Sequence, residues 1–236
     1  MPSCSVPINA GTMGQRKVED MAAKRAKKVT IAPEVRAIQA AMSLAAVQGW
    51  RDTTMADIAD QAGLDLVEMR ALFGSKTAIL AGLSRLADNA ILRDNDAEMG
   101  AEPVRDRLFD VIMRRLDALA PYKEGIAAVA RELPRDPTTI AYLAAGPGRR
   151  SLQWMLEAAR IQPWGLAAPL QLKGLGLVYL TVLRVWLNDD GEDLAKTMAA
   201  LDKALGRVES LMDVLRRGPR RFRRREEDET VTVGEE

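Results

Sequence analysis

The stretch TTMADIADQAGLDLVEMRALFGSK, residues 53–76, opens with two hydroxyls, Thr53 and Thr54, and carries two cations further on, Arg70 and Lys76. Hydroxyls and cations close together are the groups that hold phosphate oxygens, and a guanidinium can also take the edge of guanine with two parallel hydrogen bonds. This is the chemistry of binding. The chain has no histidine and one cysteine, Cys4. That removes the commonest general base, makes an ordinary zinc site very improbable and excludes a disulfide framework. No nucleophile paired with a base and no glycine-rich phosphate loop stands out, so neither an enzyme nor a cofactor is expected.

The same stretch also contains the signals that would position those side chains. Asp57 stands three residues after Thr54, and Glu68 three after Asp65. Both are capping-box spacings, in which each side chain takes the other's backbone N–H at the start of a helix. Ile58, Ala59 and Ala62 form the apolar face of the first of these helices, Gly63 supplies the tight turn, and the second helix starts at about Leu66. Upstream, Val35, Ile38, Ala41, Met42, Ala45 and Ala46 recur at helical steps from Pro33, which suits a first turn, to Gly49, expected as a left-handed cap. Downstream, Ser75 starts a helix through Ile79, Leu80, Leu83, Leu86, Ala87 and Ile91. The pattern predicts a three-helix helix-turn-helix head leading into a fourth helix, with LVEMRAL as the helix that would enter a DNA major groove.

Charge complicates that reading. Across residues 34–80, Arg36, Arg51, Arg70 and Lys76 face Glu34, Asp52, Asp57, Asp60, Asp65 and Glu68, a net of −2. Lysine and arginine on phosphate supply nearly all non-specific affinity for DNA, so the head alone should bind poorly. Glu68 is either a capping partner, favoured by the positive end of the helix, or a reader of cytosine N4. A compensating surplus of +4 lies in residues 1–33, chiefly at Lys24, Arg25, Lys27 and Lys28. Residues 1–31 read as a flexible basic arm, which either lies along a minor groove or the backbone, or is only a solvated tail.

Hydrophobic residues make up 47% of the 236 and aromatic ones only 4%, a balance that suits an all-α protein with a real core. The head spans 32–95 and a helical ligand-binding and dimerisation body 101–215. In the body, VRDRLFDVIMRRLDAL is one amphipathic helix. IAAVARELP is a second, ended by Pro134, and TIAYLAAG a third, ended by Gly146; RRSLQWMLEAARI follows. LQLKGLGLVYLTVLRVWLN is apolar nearly all round, so it should be buried in a core or in a partner. EDLAKTMAALDKALGRVESLMDVL closes the body. Residues 216–236 form a charged tail expected to be disordered, seven arginines within 216–225 followed by six acids. The net charge of +1 gives the whole chain no bulk affinity for nucleic acid or membrane, and no apolar run or signal core is visible. A cytoplasmic protein is expected.

The head resembles the TetR family of bacterial transcription regulators from about Val35 to Leu83. The likeness rests on the helix ending at Gly49, on Thr53-Thr54, on DIADQAG, and on Phe73-x-Ser75-Lys76. The resemblance implies a DNA-binding head on a body that dimerises through its last two long helices and often holds a small ligand. Here those helices are 170–188 and 193–215. The sequence departs from the family where DNA would be touched, with Arg70 at a position usually aromatic and Leu72 at one usually His or Tyr. On this resemblance Thr53, Thr54 and Lys76 would hold phosphate, and Arg70 would reach guanine or backbone.

A second, patchier resemblance is to the TetR-fold lipid-binding accessory proteins of ubiquinone biosynthesis, at Gly49-Trp50, at RALFG (70–74) and in VWLNDDGEDLAKTMAALDKAL. It implies a lipid or isoprenoid-quinone pocket, for which Tyr142, Trp154, Met155, Leu177, Tyr179, Val182 and Trp186 are candidates. Core packing is the plainer account of any one of them. Under this reading the arginine block near Phe222 would touch anionic membrane.

Overall fold

A computed structural model describes residues 31–93, 102–162 and 168–216, with the side chains of 211–216 left aside. Lys24, Arg25, Lys27 and Lys28, Cys4 and the arginine block around Phe222 lie outside the described residues. Every described element is helical: α1 (Pro33–Gln48), α2 (Met55–Ala62), α3 (Leu66–Leu72), α4 (Lys76–Arg93), α5 (Val104–Leu119), α6 (Lys123–Glu132), α7 (Pro137–Leu143), α8 (Arg149–Ala158), α9 (Ala168–Trp186) and α10 (Ala195–Arg216). No described helix is long and apolar enough to cross a membrane.

The head forms as its spacing predicts. Pro33 sits in the first turn of α1, where its missing N–H costs no bond, and Ala37, Ile38, Ala41, Met42 and Ala45 face inward. Both capping boxes are complete. Thr54 and Asp57 exchange bonds of 2.9 and 3.1 Å at the start of α2, and Asp65 and Glu68 bonds of 3.0 and 2.7 Å at the start of α3. Gly63 closes α2 in the left-handed region, at φ 63° and ψ 46°. Ser75 accepts the Ala78 N–H at 3.2 Å and so starts α4.

Gly49 departs from the left-handed cap expected of it. Its φ is positive, 93°, but ψ is 154°, a combination open essentially to glycine alone. The extended ψ turns the chain back towards α6 instead of winding it onward. Gly146 and Pro147 likewise do not end a helix. They lie within a π-turn, Ala144–Gly148, that carries the chain from α7 into α8, and the wider turn accommodates the proline's missing N–H. α6 stops at Glu132, two residues before Pro134, and passes into a short 3-10 turn. α10 begins at Ala195, because Asp189 and Asp193 hold the preceding loop.

One hydrophobic cluster runs from head to body, from Ala37 and Ile38 through Ile112 and Leu116 to Trp186 and Leu201. α1 packs along α6, α4 along α5 and α8, and α9 along α10. Head and body approach closely at Gly125. A Cβ there would press on the Met42 carbonyl oxygen and stand 2.8 Å from its carbonyl carbon. Both neighbours are backbone and cannot move aside without shifting α1. Gly125→Ala should therefore destabilise the fold by about 1–3 kcal/mol through overpacking, despite alanine's better helix propensity. Denaturant unfolding of the two proteins measures the difference; a variant as stable as the parent would mean that α1 shifts at no cost.

Candidate nucleic-acid interface

Of the described residues singled out for DNA contact, Thr54 and Arg70 are exposed on the helix-turn-helix, α2 with α3, whereas Thr53 and Lys76 meet at the loop before it. Thr54 is exposed, and its hydroxyl oxygen accepts the Asp57 N–H. The returning bond from the Thr54 N–H, with the hydroxyl, holds the Asp57 carboxyl below the usual carboxylate range. Arg70 is exposed on α3 with no ion pair to another described residue, so its guanidinium is available to a ligand.

Two of the expected phosphate contacts face elsewhere. Thr53 is buried, 1% exposed, and its hydroxyl donates to the Gly49 carbonyl at 2.7 Å. It closes the loop between α1 and α2 instead of meeting solvent, because the back-turned chain at Gly49 brings that carbonyl within reach. The Lys76 ammonium turns inward to the same loop, donating to the carbonyls of Trp50 (2.5 Å), Arg51 (3.3 Å) and Thr53 (2.7 Å), and lies 4.9 Å from the centre of the Trp50 ring. An ammonium has three donors, and all three are used. Burial holds its pKa below the ordinary lysine range, against the pull of Glu132 and Asp52.

The opposite side of that loop is held by the body. The Glu132 carboxylate, at the end of α6, accepts the Trp50 N–H at 3.2 Å and the Arg51 N–H at 2.8 Å. A small cleft of about 150 Å³ between head and body opens beside it, lined by Trp50, Arg51, Glu132, Leu133, Arg135, Asp136 and Thr139. Arg36 acts similarly inside the head, donating from α1 to the Ala62 carbonyl at 2.7 Å at the negative end of α2. Glu68 is committed to its capping box, so the structure favours the capping role over a cytosine reader.

A second joint is buried. Asp88 of α4 pairs with Arg115 of α5 and accepts the Ser151 hydroxyl of α8 at 2.7 Å. Arg115 also donates to Ser84 at 3.0 Å and to the Tyr179 hydroxyl of α9 at 3.1 Å. One guanidinium, with the aspartate it pairs with, thus joins four helices. Burial opposes its charge, but Tyr179 and Asp88 outweigh that and raise its pKa further. Sequence reasoning passed over both residues, although Arg115 stands on the apolar stripe of Ile112, Leu116 and Leu119, a legible sign of a buried charge.

The pocket candidates divide. Met155, Val182 and Trp186 are buried core residues, and Tyr179 is half-buried against Arg115. Tyr142, Trp154 and Leu177 are exposed. The seven do not line one cavity among the described residues, because α9 turns Leu177 to the face opposite Val178, Val182 and Trp186.

Residues 37–83 match the family model described as bacterial regulatory proteins, tetR family. The structure is similar to that of a TetR transcriptional regulator from Nitrosomonas europaea ATCC 19718, with a TM-score of 0.59 and 26% identity over 73% of this chain and 95% of that one. It is also similar in fold to a TetR transcriptional regulator from Rhodococcus sp. RHA1, with a TM-score of 0.54 and 21% identity over 74% and 93% of the two chains. No curated protein matches the sequence. The chain carries the N-terminal domain of the TetR family on a body with the fold of TetR regulators. Of the two resemblances in the sequence, these matches fall on the regulator side.

Glu132→Ala should release the loop that sets the start of α2. Hydrogen bonds to a charged group are worth about 1.5–3 kcal/mol each, less where water competes, so a loss of about 1–2 kcal/mol is expected for the pair. Amide hydrogen exchange at Trp50 and Arg51 should accelerate with it. Unchanged exchange at both amides would show that water replaces the carboxylate without loosening the loop.

Proposed function

We propose that this protein is a DNA-binding transcriptional regulator of TetR type, acting as a ligand-responsive homodimer. The observation that carries the reading is the helix-turn-helix itself. Both helices start in complete capping boxes, Gly63 makes the turn, and α3 offers an exposed Arg70. Two heads would occupy half-sites in successive major grooves, with centres about 34–36 Å apart or a multiple of that. Thr54 would hold phosphate and Arg70 would take guanine or phosphate. Lys24, Arg25, Lys27 and Lys28 would supply the backbone affinity that the head lacks. Thr53 and Lys76 would serve by fixing the loop.

The dimer reading rests on α9 and α10. α9 buries Leu175, Val178, Val182 and Trp186 but presents Leu170, Leu177 and Leu180 to solvent, Leu177 at 68% exposure. Met198 and Val208 of α10 are exposed too. An apolar helix uncovered on one side is what a second copy would bury, giving a four-helix bundle with two helices from each chain. A small apolar ligand in the body would act by favouring one spacing of the heads over another, since it shifts the equilibrium only by its difference in affinity for the two. Asp88–Arg115 and Glu132 are the joints through which that difference would reach α4 and the loop before α2.

Selection of bound fragments from genomic DNA at about 150 mM salt tests the regulator reading. A palindromic site is the expected result; no enrichment, with isoprenoid lipid co-purifying instead, would favour the lipid-binding alternative. Replacing Lys24, Arg25, Lys27 and Lys28 by alanine should weaken binding to all sequences and flatten the salt dependence, by about one unit of slope for each phosphate no longer neutralised. Unchanged affinity would remove the arm from the interface. Leu177→Glu should give a folded monomer by sedimentation, with DNA affinity falling alongside, whereas an intact dimer would place the interface elsewhere.

A further inference from the structure

The base-facing surface of α3 is mostly apolar. Its core side is marked by Met69, which is buried, and Leu72, which is half-buried. At 3.6 residues per turn the side directly opposite carries Val67 and, one turn on, Ala71, with Arg70 beside them. Val67 is 78% exposed and its neighbour Leu66 59%. The two acids of this region do not compete for that face. The Asp65 and Glu68 side chains are folded back onto each other's backbone N–H groups at the helix start.

We propose that Val67 and Ala71 select thymine through its C5-methyl group, so that the half-site carries one or two methyl-read thymines next to the position contacted by Arg70. The inference rests on the regulator reading above and specifies what α3 reads. The reasoning is chemical. A major-groove edge offers hydrogen-bond donors and acceptors at every base pair, but only thymine offers an apolar group there. A valine laid against the edges of guanine, cytosine or adenine would desolvate polar atoms without pairing them, which costs free energy. Against a thymine methyl it buries apolar surface at no such cost. Val67 and Ala71, one helical turn apart, can each meet a methyl, while Arg70 on the flank supplies the hydrogen bonds that the two apolar residues lack.

The test uses the full-length protein and the duplex recovered by the selection described above. Each thymine of one half-site is replaced in turn by deoxyuridine, which keeps the base pair and removes only the methyl. Affinity should fall about fourfold at one or two positions, the worth of one buried methyl-sized group, and stay unchanged at the others. In the Val67→Ser protein at least one of those positions should become indifferent to the methyl. Val67 is exposed, so the substitution leaves the core untouched, and circular dichroism verifies the fold. A selected site at which no thymine shows a methyl effect, or at which every methyl effect persists in Val67→Ser, overturns this proposal and leaves the regulator reading standing. Failure to select any sequence overturns both.

Discussion

The loop between α1 and α2 is gripped by two opposite charges, and the placement of the helix-turn-helix depends on that grip. Its N–H groups, at Trp50 and Arg51, point to the Glu132 carboxylate, and its carbonyls, at Trp50, Arg51 and Thr53, point to the Lys76 ammonium. A free loop would satisfy these groups with water and sample many conformations. Here one anion from the body and one cation from α4 select a single path, and the Gly49 backbone is the bend that permits it. Thr53 then closes the loop through its hydroxyl, and the next residue, Thr54, is delivered as the cap of α2. The orientation of the reading unit is thus decided partly by a residue of the body.

The buried Asp88–Arg115 joint does a different job at a different cost. Taking two charges out of water costs several kcal/mol per ion, which their attraction repays only with good geometry and further hydrogen bonds. Ser84, Ser151 and Tyr179 provide those bonds. An apolar pair would fill the same space without that cost, so the network is poorly explained as a source of stability. What it does provide is directionality: an apolar contact tolerates sliding, whereas an ion pair bonded across four helices does not. α4 is therefore registered against α5, α8 and α9, and a displacement of α9 has a defined route to the head.

The head handles its charges inwardly. Asp57, Asp65 and Glu68 are spent on helix N-termini, Arg36 on the end of α2, and Lys76 on the loop. Asp65 and Glu68 stay exposed and charged, but their side chains are fixed at the helix start instead of reaching outward. The outward face of α3 is neither acidic nor strongly basic; it is apolar with one arginine. Such a face can discriminate between base edges but supplies little attraction to phosphate.

The local features of this arrangement are legible in the sequence, and the long-range ones are not. Capping boxes at Thr54 and Asp65, the turn at Gly63 and the apolar stripe of α1 are written in residues three or four apart, where backbone geometry alone determines which side chains meet. Glu132 meets Trp50 and Arg51 only because α6 packs along α1, and no periodicity near either site encodes an encounter across eighty residues. The roles of Thr53 and Lys76 escape a sequence reading for the same reason, since a hydroxyl and an ammonium beside a helix start look alike whether they face phosphate or a loop carbonyl. Leu177 shows the remaining limit. A helix apolar on every side does not reveal which side its own chain covers, and only the packing of Leu175, Val178, Val182 and Trp186 leaves Leu177 outward. What periodicity cannot specify is the identity of the partner surface, and in this protein the features that bear on function, the loop grip, the buried joint and the uncovered helix face, are all questions of partner identity.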